Sequence, residues 1–531
     1  MENSNSYDYI IIGSGFGGSV SALRLVEKGY SVLMIESGKR YRPKNFPKTN
    51  WNLRKFLWAP AIGLYGILRI QPLKNVLILA GSGVGGGSLV YANTLLVPPD
   101  PFFTDPSWIS LDKDWKKELI PHYNTAKRML GVTKNSGMTD ADKLLYEYSK
   151  EIGREKFFKN TDVGVFFGEP GKKVPDPFFN GEGPERTGCT KTGHCMVGCR
   201  DDGKNSLDKN YLWLAENRGL EILPQHKVLS VTQNSDGTYS ISAKKVTGIA
   251  TLHKKKKFIS KGIIFSAGAL GTNELLLKCK EKEYLKKLSE KVGFSARTNS
   301  EVMTGITANR RKGFKVEGVS ITSGVYVNDS THIEVVRYPK GSSAMNFLTT
   351  LLVDKTGKVP RFFKLIKDII IHPLRFLKIS IPYRWAELST ILLVMQTTDN
   401  KIRLTKKRRL LFPFKKVLTS ITGEKKIPAY IQVANDAARE MAKKIDGIPQ
   451  SAVTEILFNS PVSAHLIGGC PMGKDAGEGV IDKYHKVFGY ENMYVIDGSS
   501  IPANLGVNPS LTITAMAERV MSYIPKKTEK Q

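Results

Sequence analysis

Tyr9-Ile10-Ile11-Ile12-Gly13-Ser14-Gly15-Phe16-Gly17-Gly18 begins as an apolar run and breaks into glycines. Residues 9–12 read as a buried parallel strand, since apolar residues follow one another without polar alternation. After Gly18 the apolar positions change to helical spacing, with Val20, Leu23, Leu25 and Val26. The pattern Gly13-x-Gly15-x-x-Gly18 fits a strand–turn–helix that binds a dinucleotide. Gly13 permits the tight turn, Gly15 lets backbone approach a pyrophosphate, and Gly18 lets helix and strand pack closely. The pyrophosphate charge would then face the helix N-terminus. A second strand, 31–35, ends at Glu36, where an acidic side chain accepts hydrogen bonds from adenosine ribose hydroxyls.

A second glycine loop follows the apolar run 76–80: Gly81-Ser82-Gly83-Val84-Gly85-Gly86-Gly87-Ser88. So many glycines imply backbone running against something flat or anionic. Two such loops favour a long cofactor spanning both, FAD rather than NAD. Residues 263–272 repeat the strand, glycine turn and helix start, with the turn at Gly268. Near the C-terminus, Asp497-Gly498 follows the apolar run 493–496, and Gly506-Val507-Asn508-Pro509-Ser510 leads into a helix. Pro509 and Ser510 suit a helix start. Aimed at a flavin's pyrimidine edge, that N-terminus would stabilise the anionic reduced form. His465 precedes the glycine turn at 468–469. Its spacing alone is compatible with a structural or a catalytic histidine.

The stretch GSGVGGGSLVYAN, from Gly81 to Asn93, and the opening IIGSGFGGSVSALRL resemble the glucose–methanol–choline (GMC) oxidoreductases, in their cholesterol oxidase branch. The resemblance runs along nearly the whole chain and is nearest the cytoplasmic long form of that branch. It implies an α/β protein: a Rossmann-like FAD-binding domain interleaved with a substrate domain built on a mostly antiparallel sheet plus helices. The expected FAD-binding segments are 1–48, 76–165, 205–312 and 477–531, and the substrate-binding segments 49–75, 166–204 and 313–476. Non-covalent FAD would be held first by Gly13, Gly15, Phe16, Gly17, Gly18 and Glu36. The second loop would add Gly81, Gly85, Gly86, Ser88 and Asn93. Val228, at the adenine, and Gly268 would follow, with Asp497, Gly498, Asn508 and Pro509 completing the site.

His465 and Asn508 match the branch's catalytic pair. The implied reaction is oxidation of a sterol 3β-hydroxyl to the ketone. The hydroxyl hydrogen-bonds to both residues, His465 or a water it holds takes the proton, and hydride passes to flavin N5, with oxygen as acceptor. Tyr91-Ala92 departs from the Asn-Gly of secreted relatives. That leaves open a dehydrogenase of another steroid or long-chain alcohol with a different acceptor. A flavin- and lipid-binding membrane protein without turnover is the reading from another class. Some relatives also shift the sterol double bond with a loop glutamate. Its position here falls on Ser343, with Glu334 the nearest carboxylate nine residues earlier, so isomerase activity is not expected.

Bulk properties set outer limits. The chain has 531 residues, 41% of them hydrophobic, and a formal charge of +30. Such a charge fits either an anionic partner or a lysine-rich solvated surface. No zinc-finger spacing, RNA-binding signature or basic recognition helix accompanies it, so nucleic acid is not expected. Cys189, Cys195 and Cys199 fall within eleven residues. A four-cysteine metal site would need a ligand from elsewhere, because Thr192 occupies the Cys-x-x-Cys step, and reduced thiols without metal are expected. No secretory signal stands out and no apolar stretch reaches the roughly 18 residues of a membrane span, so a cytoplasmic protein is expected.

Three surface segments remain ambiguous. The aromatic-rich segment 51–70 suits a cofactor cap, a pocket wall or ordinary core. Residues 361–381 read as a basic amphipathic segment, with Phe362, Leu365, Ile366, Ile369 and Ile370 on one helical face. Such a segment either packs on the core or lies in a membrane interface, where the basic run 406–412 would extend it. Lys254-Lys255-Lys256-Lys257 reads most simply as an exposed hairpin turn.

Overall fold

The computed structural model describes residues 6–528 apart from 113, 249–252, 310–312, 316, 356, 410–411 and 424. Its opening strand, Ser6–Ile12, lies inside a seven-stranded sheet. It pairs in parallel with Val32–Ile35 on one side and Lys255–Phe265 on the other. Glu221–Leu223 and Met493–Val495 extend the parallel set. His226–Gln233 and Tyr239–Lys245 complete the sheet as antiparallel strands. Ile10, Ile11 and Met34 are fully buried, which is why these strands show no polar alternation. Parallel strands end on a common edge. Gly13, Glu36, Gly268 and Asp497 all follow strand ends, so the topology gathers them there.

A second sheet of seven strands is antiparallel throughout. Its order is Thr349–Leu351, Ile448–Ala452, Val302–Thr307, Ser389–Gln396, Thr331–Val336, Ile321–Asn328 and Phe158–Asn160. Along Ser389–Gln396 the side chains alternate. Leu392 and Val394 pack in a cluster shared with the helices Asp140–Glu151 and Gln432–Lys444. Ile391, Leu393 and Met395 join Ile321 and Val336 on the other face.

Val462–Ser463 pairs in parallel with Leu77–Gly81, so His465 and the second glycine loop leave neighbouring strands at the same end.

Two expectations need correction. Phe158–Asn160 and Val302–Thr307 fall within expected cofactor-binding segments but pair in the antiparallel sheet, Val302–Thr307 between two strands of that sheet. Lys255, Lys256 and Lys257 are not a hairpin turn. They open the strand Lys255–Phe265 and pair with Lys244, Ala243 and Ser242 in turn, and all three lysines are exposed.

Candidate active site

A cavity of about 1220 Å³ is walled at one end by the loops that follow the parallel strands and at the other by the apolar face of the antiparallel sheet. Gly13, Gly15, Phe16, Gly17 and Glu36 line the first end, with Gly81 and Gly86 from the second glycine loop. Val228, Gly268, Asp497, Gly498 and Pro509 line it too. Gly13 has φ +100°, and a Cβ there would stand 2.3 Å from the Ser266 carbonyl oxygen. A Cβ on Gly17 would lie 1.9 Å from the Ile496 carbonyl oxygen, so only glycine lets the helix approach that strand. At Gly15 a Cβ would meet nothing within 4 Å, because that side opens. Ser14 ties the loops together: its Oγ accepts from Gly85 N (3.1 Å) and donates to Glu36 Oε2 (2.8 Å). Glu36 Oε1 accepts from Gly38 N at 2.7 Å. A flat cradle, the N-termini of the helices Phe16–Glu27 and Ser510–Tyr523, and an anchored carboxylate fit the dinucleotide of a flavin cofactor.

Four expected contacts stand behind this wall. Gly18 is packed against Gly13, its notional Cβ 2.3 Å from the Gly13 carbonyl oxygen. Gly85 contributes its N–H to Ser14. Ser88 Oγ donates to Gly85 O (2.7 Å) and accepts from Leu207 N (3.0 Å), bracing the loop from within. Asn93, at φ +73°, faces a small space among the cysteines instead.

Asp497 also works structurally. Thr272 Oγ1 and Ser499 N donate to its carboxylate at 2.5 and 2.8 Å. Burial raises its pKa, and these hydrogen bonds hold the rise down.

His465 and Asn508 line the same cavity, and each is backed by a buried carboxylate that the motifs did not announce. Glu301 Oε2 stands 3.3 Å from His465 Nδ1, while Ser463 Oγ (2.7 Å) and Ala464 N (3.2 Å) donate to it. Glu334 Oε2 accepts from Asn508 Nδ2 at 3.2 Å. Burial works against the imidazolium of His465, but Glu301 first and Glu334 second outweigh it, so its pKa is raised. Burial pushes Glu334 up to about 7 against the pull of Asn508 and His465. His332 lies 3.9 Å from Glu334 Oε1 and is stacked on Tyr326 at 4.6 Å. Burial drops it to about 4, which leaves it neutral near pH 7.

The backbone explains why these groups converge. Asn299 and Ser300 have φ of +60° and +46°, a sharp bend just before Glu301. The Asn299 amide clamps the segment leading to Asn508: Nδ2 donates to Val507 O (2.9 Å), and Oδ1 accepts from Leu505 N (3.0 Å) and Gly506 N (2.8 Å). One short segment therefore backs His465 with Glu301 and fixes the approach to Asn508. Glu334 was open to sequence reasoning: alternation along Thr331–Val336 puts it on the same side as the cavity-lining Val336. Glu301 carried no local signal.

Beside His465 and Asn508 the wall of this chamber is largely apolar, with Met303, Ile321, Tyr338, Met345, Trp385 and Leu393, and Thr304, Thr390, Gln450 and Ser451 add polar groups to the lining. From the aromatic-rich segment, Trp58, Pro60 and Leu68 reach it. Ser343 does not; it is buried, and its Oγ accepts from Ala386 N at 3.2 Å. Glu334 is wholly buried behind Asn508. Such a chamber suits a bulky apolar molecule carrying one hydroxyl.

The remaining expectations fall elsewhere. Cys189, Cys195 and Cys199 are free thiols, and burial pushes Cys189 up to about 12. Lys204, buried beside them, donates to the carbonyls of Leu89, Tyr91 and Cys195. Among the described residues no group of three or more His, Cys, Asp or Glu is arranged to hold a metal ion. Lys406 pairs with Glu281 at 2.8 Å, and Lys406 and Arg408 are among the residues lining the cavity. Leu410 and Leu411 lie outside the described residues.

Comparison with known proteins agrees with this architecture. The GMC oxidoreductase family models match at residues 184–280 and 417–517. The chain is 47% identical over 534 residues to a cholesterol oxidase of Mycobacterium tuberculosis, covering 98% of this chain and 92% of the other. It is 44% identical to a cholesterol oxidase of Acinetobacter baumannii, covering 99% and 95%. The crystal structure of pyridoxine 4-oxidase from Mesorbium loti superposes with a TM-score of 0.64 at 15% identity, over 97% of this chain and 98% of that one, a likeness of fold. The chain belongs to the GMC oxidoreductase family and is an FAD-dependent alcohol oxidoreductase.

Proposed function

We propose that this enzyme oxidises the 3β-hydroxyl of a sterol such as cholesterol to the 3-ketone, with molecular oxygen as acceptor. The observation that carries the reading is the pair of acid-backed polar side chains, His465 and Asn508, in a cavity also walled by Met303, Ile321, Met345, Trp385 and Leu393. The cholesterol oxidases to which the chain is 44–47% identical support the sterol. Bound FAD would supply the hydride acceptor and the route to oxygen, held by the two glycine loops, Glu36 and the helix N-terminus at Ser510.

The chain's own residues do the rest. Apolar walls bind the ring system and exclude water from the hydroxyl. Asn508, its Nδ2 anchored on Glu334, orients the alcohol oxygen. His465 takes the hydroxyl proton on the imidazole nitrogen that faces the cavity, while Glu301 behind Nδ1 stabilises the imidazolium that forms. A substrate that lives in bilayers also brings the protein's surface to a membrane.

The test is the flavin absorbance of purified protein, recorded anaerobically before and after adding cholesterol and then in air. Bleaching followed by recovery with peroxide is expected. Bleaching with very slow recovery would replace oxygen by another acceptor. No bleaching in flavin-loaded protein would remove cholesterol as substrate.

A further inference from the structure

The helices Arg361–Ile371 and Pro373–Ser380 form a bent pair whose inner side is satisfied and whose outer side is not. Leu365 and Ile379 are buried with Leu351, Val353 and Ile456, and Ile369 and Phe376 pack half-buried beside them. The remaining apolar residues face outward. Ile370 is 73% exposed and Leu374 78% exposed, and Phe363, Ile371, Leu377 and Ile381 are exposed around them. Isolated exposed apolar residues are ordinary. A contiguous group on adjoining helices, with its own core contacts already made by other residues, marks a surface that meets something apolar.

The charges beside it say what. Lys367, Arg375 and Lys378 are exposed on the same two helices, where Asp368 is the only acidic residue. A second copy of this face would bring cations against cations, which disfavours self-association. An anionic lipid surface complements both the apolar residues and the lysines. The helices have 11 and 8 residues, and at about 1.5 Å per residue neither spans a bilayer. Among the described residues no helix is long and apolar enough to cross a membrane. The pair therefore suits lying in an interface.

Position gives the contact a purpose. Pro373–Ser380 packs on the turn Ala344–Leu348 and on the strand Thr349–Leu351. From that same turn, Met345 and Leu348 line the substrate chamber, while Phe347 is exposed and edges against exposed Trp51 at 5.9 Å. A few residues thus separate the outward apolar face from the chamber wall.

We infer that the helix pair Arg361–Ile371 and Pro373–Ser380 docks the enzyme on an anionic phospholipid bilayer, delivering the apolar substrate to the chamber across the turn Ala344–Leu348. The inference rests on the sterol reading for its purpose but not for its test. Full-length FAD-loaded enzyme is floated with vesicles of phosphatidylcholine alone and of phosphatidylcholine with 30% phosphatidylglycerol. Two variants are compared with the wild type: Phe363→Ser/Ile370→Ser/Leu374→Ser and Lys367→Glu/Arg375→Glu/Lys378→Glu. All six side chains lie on the outward helices away from the catalytic groups, so turnover of detergent-solubilised cholesterol serves as the control for folding.

The wild type is expected to float with anionic vesicles, more weakly at high salt. Each variant should lose about tenfold or more in partitioning while keeping its turnover in detergent. Turnover of vesicle-borne cholesterol should fall in parallel. Wild type that floats with neither vesicle overturns the inference, as do variants that float like wild type. A dimer of the wild type that the serine variant converts to monomer, without vesicle binding, assigns the face to a second copy instead. Vesicle binding without turnover of cholesterol in detergent would sink the sterol reading and leave the docking surface standing.

Discussion

Glu301 Oε2 stands 3.3 Å from Nδ1 of His465, and the carboxylate has no exposure to solvent. A buried carboxylate behind an imidazole makes the ring more basic and fixes which nitrogen faces the substrate. Glu301 touches no substrate in this arrangement. It is a positioning residue, acting through His465.

Its effect has a defined sign. The base form of His465 does the work, so the rate of flavin reduction is lost as pH falls through the raised pKa of His465. Glu301→Gln keeps the shape and removes the charge. The imidazolium loses its largest stabiliser, and the acid limb should move to lower pH by about one unit or more. At high pH the plateau should also drop, because a weaker base accepts the proton less readily. Stopped-flow reduction across pH measures both. An unchanged acid limb would separate Glu301 from His465.

His465→Asn and Asn508→Leu should each slow flavin reduction while FAD stays bound, since neither side chain belongs to the glycine cradle. Loss of a general base costs about 10²–10⁴-fold. Loss of an orienting donor costs about 10²–10³-fold. Flavin content from the absorbance ratio checks the cofactor, and anaerobic reduction gives the rate. Wild-type rates in both variants would remove this pair from the chemistry.

Glu334 invites a comparison of two substitutions. Glu334→Gln still offers an oxygen to Asn508 Nδ2 (3.2 Å in the parent) and removes a charge. It should move the acid limb in the same direction as Glu301→Gln but less, because Glu334 is the weaker of the two influences on His465. Glu334→Leu leaves the Asn508 amide without its buried acceptor, which costs about 1–3 kcal/mol. Its reduction rate should fall about tenfold or more below that of Glu334→Gln. Equal rates in the two variants would mean that the hydrogen bond to Asn508 does not matter.

The uneven legibility of this site follows from what each feature depends on. Gly13 and Gly17 answer local demands, a turn and a close approach, and local demands leave local spacing. The parallel sheet was readable because its strands are apolar on both faces. Glu334 lies in the strand Thr331–Val336, buried at every position, and the partner that gives it a role, Asn508, stands far along the chain. Glu301 depends on a bend at Asn299 and Ser300 that meets Ser463 and His465 from far along the chain, and no pattern near it records that meeting. The helix Arg361–Ile371 shows the same limit. Helical period grouped Phe362, Leu365, Ile366, Ile369 and Ile370 correctly as one stripe. Which part of the stripe has a partner is settled by the neighbouring chain: Leu365 is buried, while Phe362, Ile366 and Ile370 are exposed.

Two glycines five residues or fewer from the first turn should behave oppositely when changed to alanine. At Gly17 a Cβ would lie 1.9 Å from the Ile496 carbonyl oxygen and 2.7 Å from its carbon, backbone that cannot yield as a flexible side chain would. Gly17→Ala should cost about 1–3 kcal/mol through overpacking and lower the melting temperature with or without cofactor. At Gly15 the backbone has φ −73° and a Cβ meets nothing within 4 Å, so the fold accepts alanine. The added methyl stands instead in the space where a pyrophosphate would approach the helix N-terminus. Gly15→Ala should therefore melt, once stripped of flavin, within about 1 kcal/mol of the stripped parent and yet bind FAD more weakly. Thermal melts of flavin-free protein and FAD titration by flavin fluorescence separate the two effects. Parental FAD affinity in Gly15→Ala would show that the cofactor does not run past this turn.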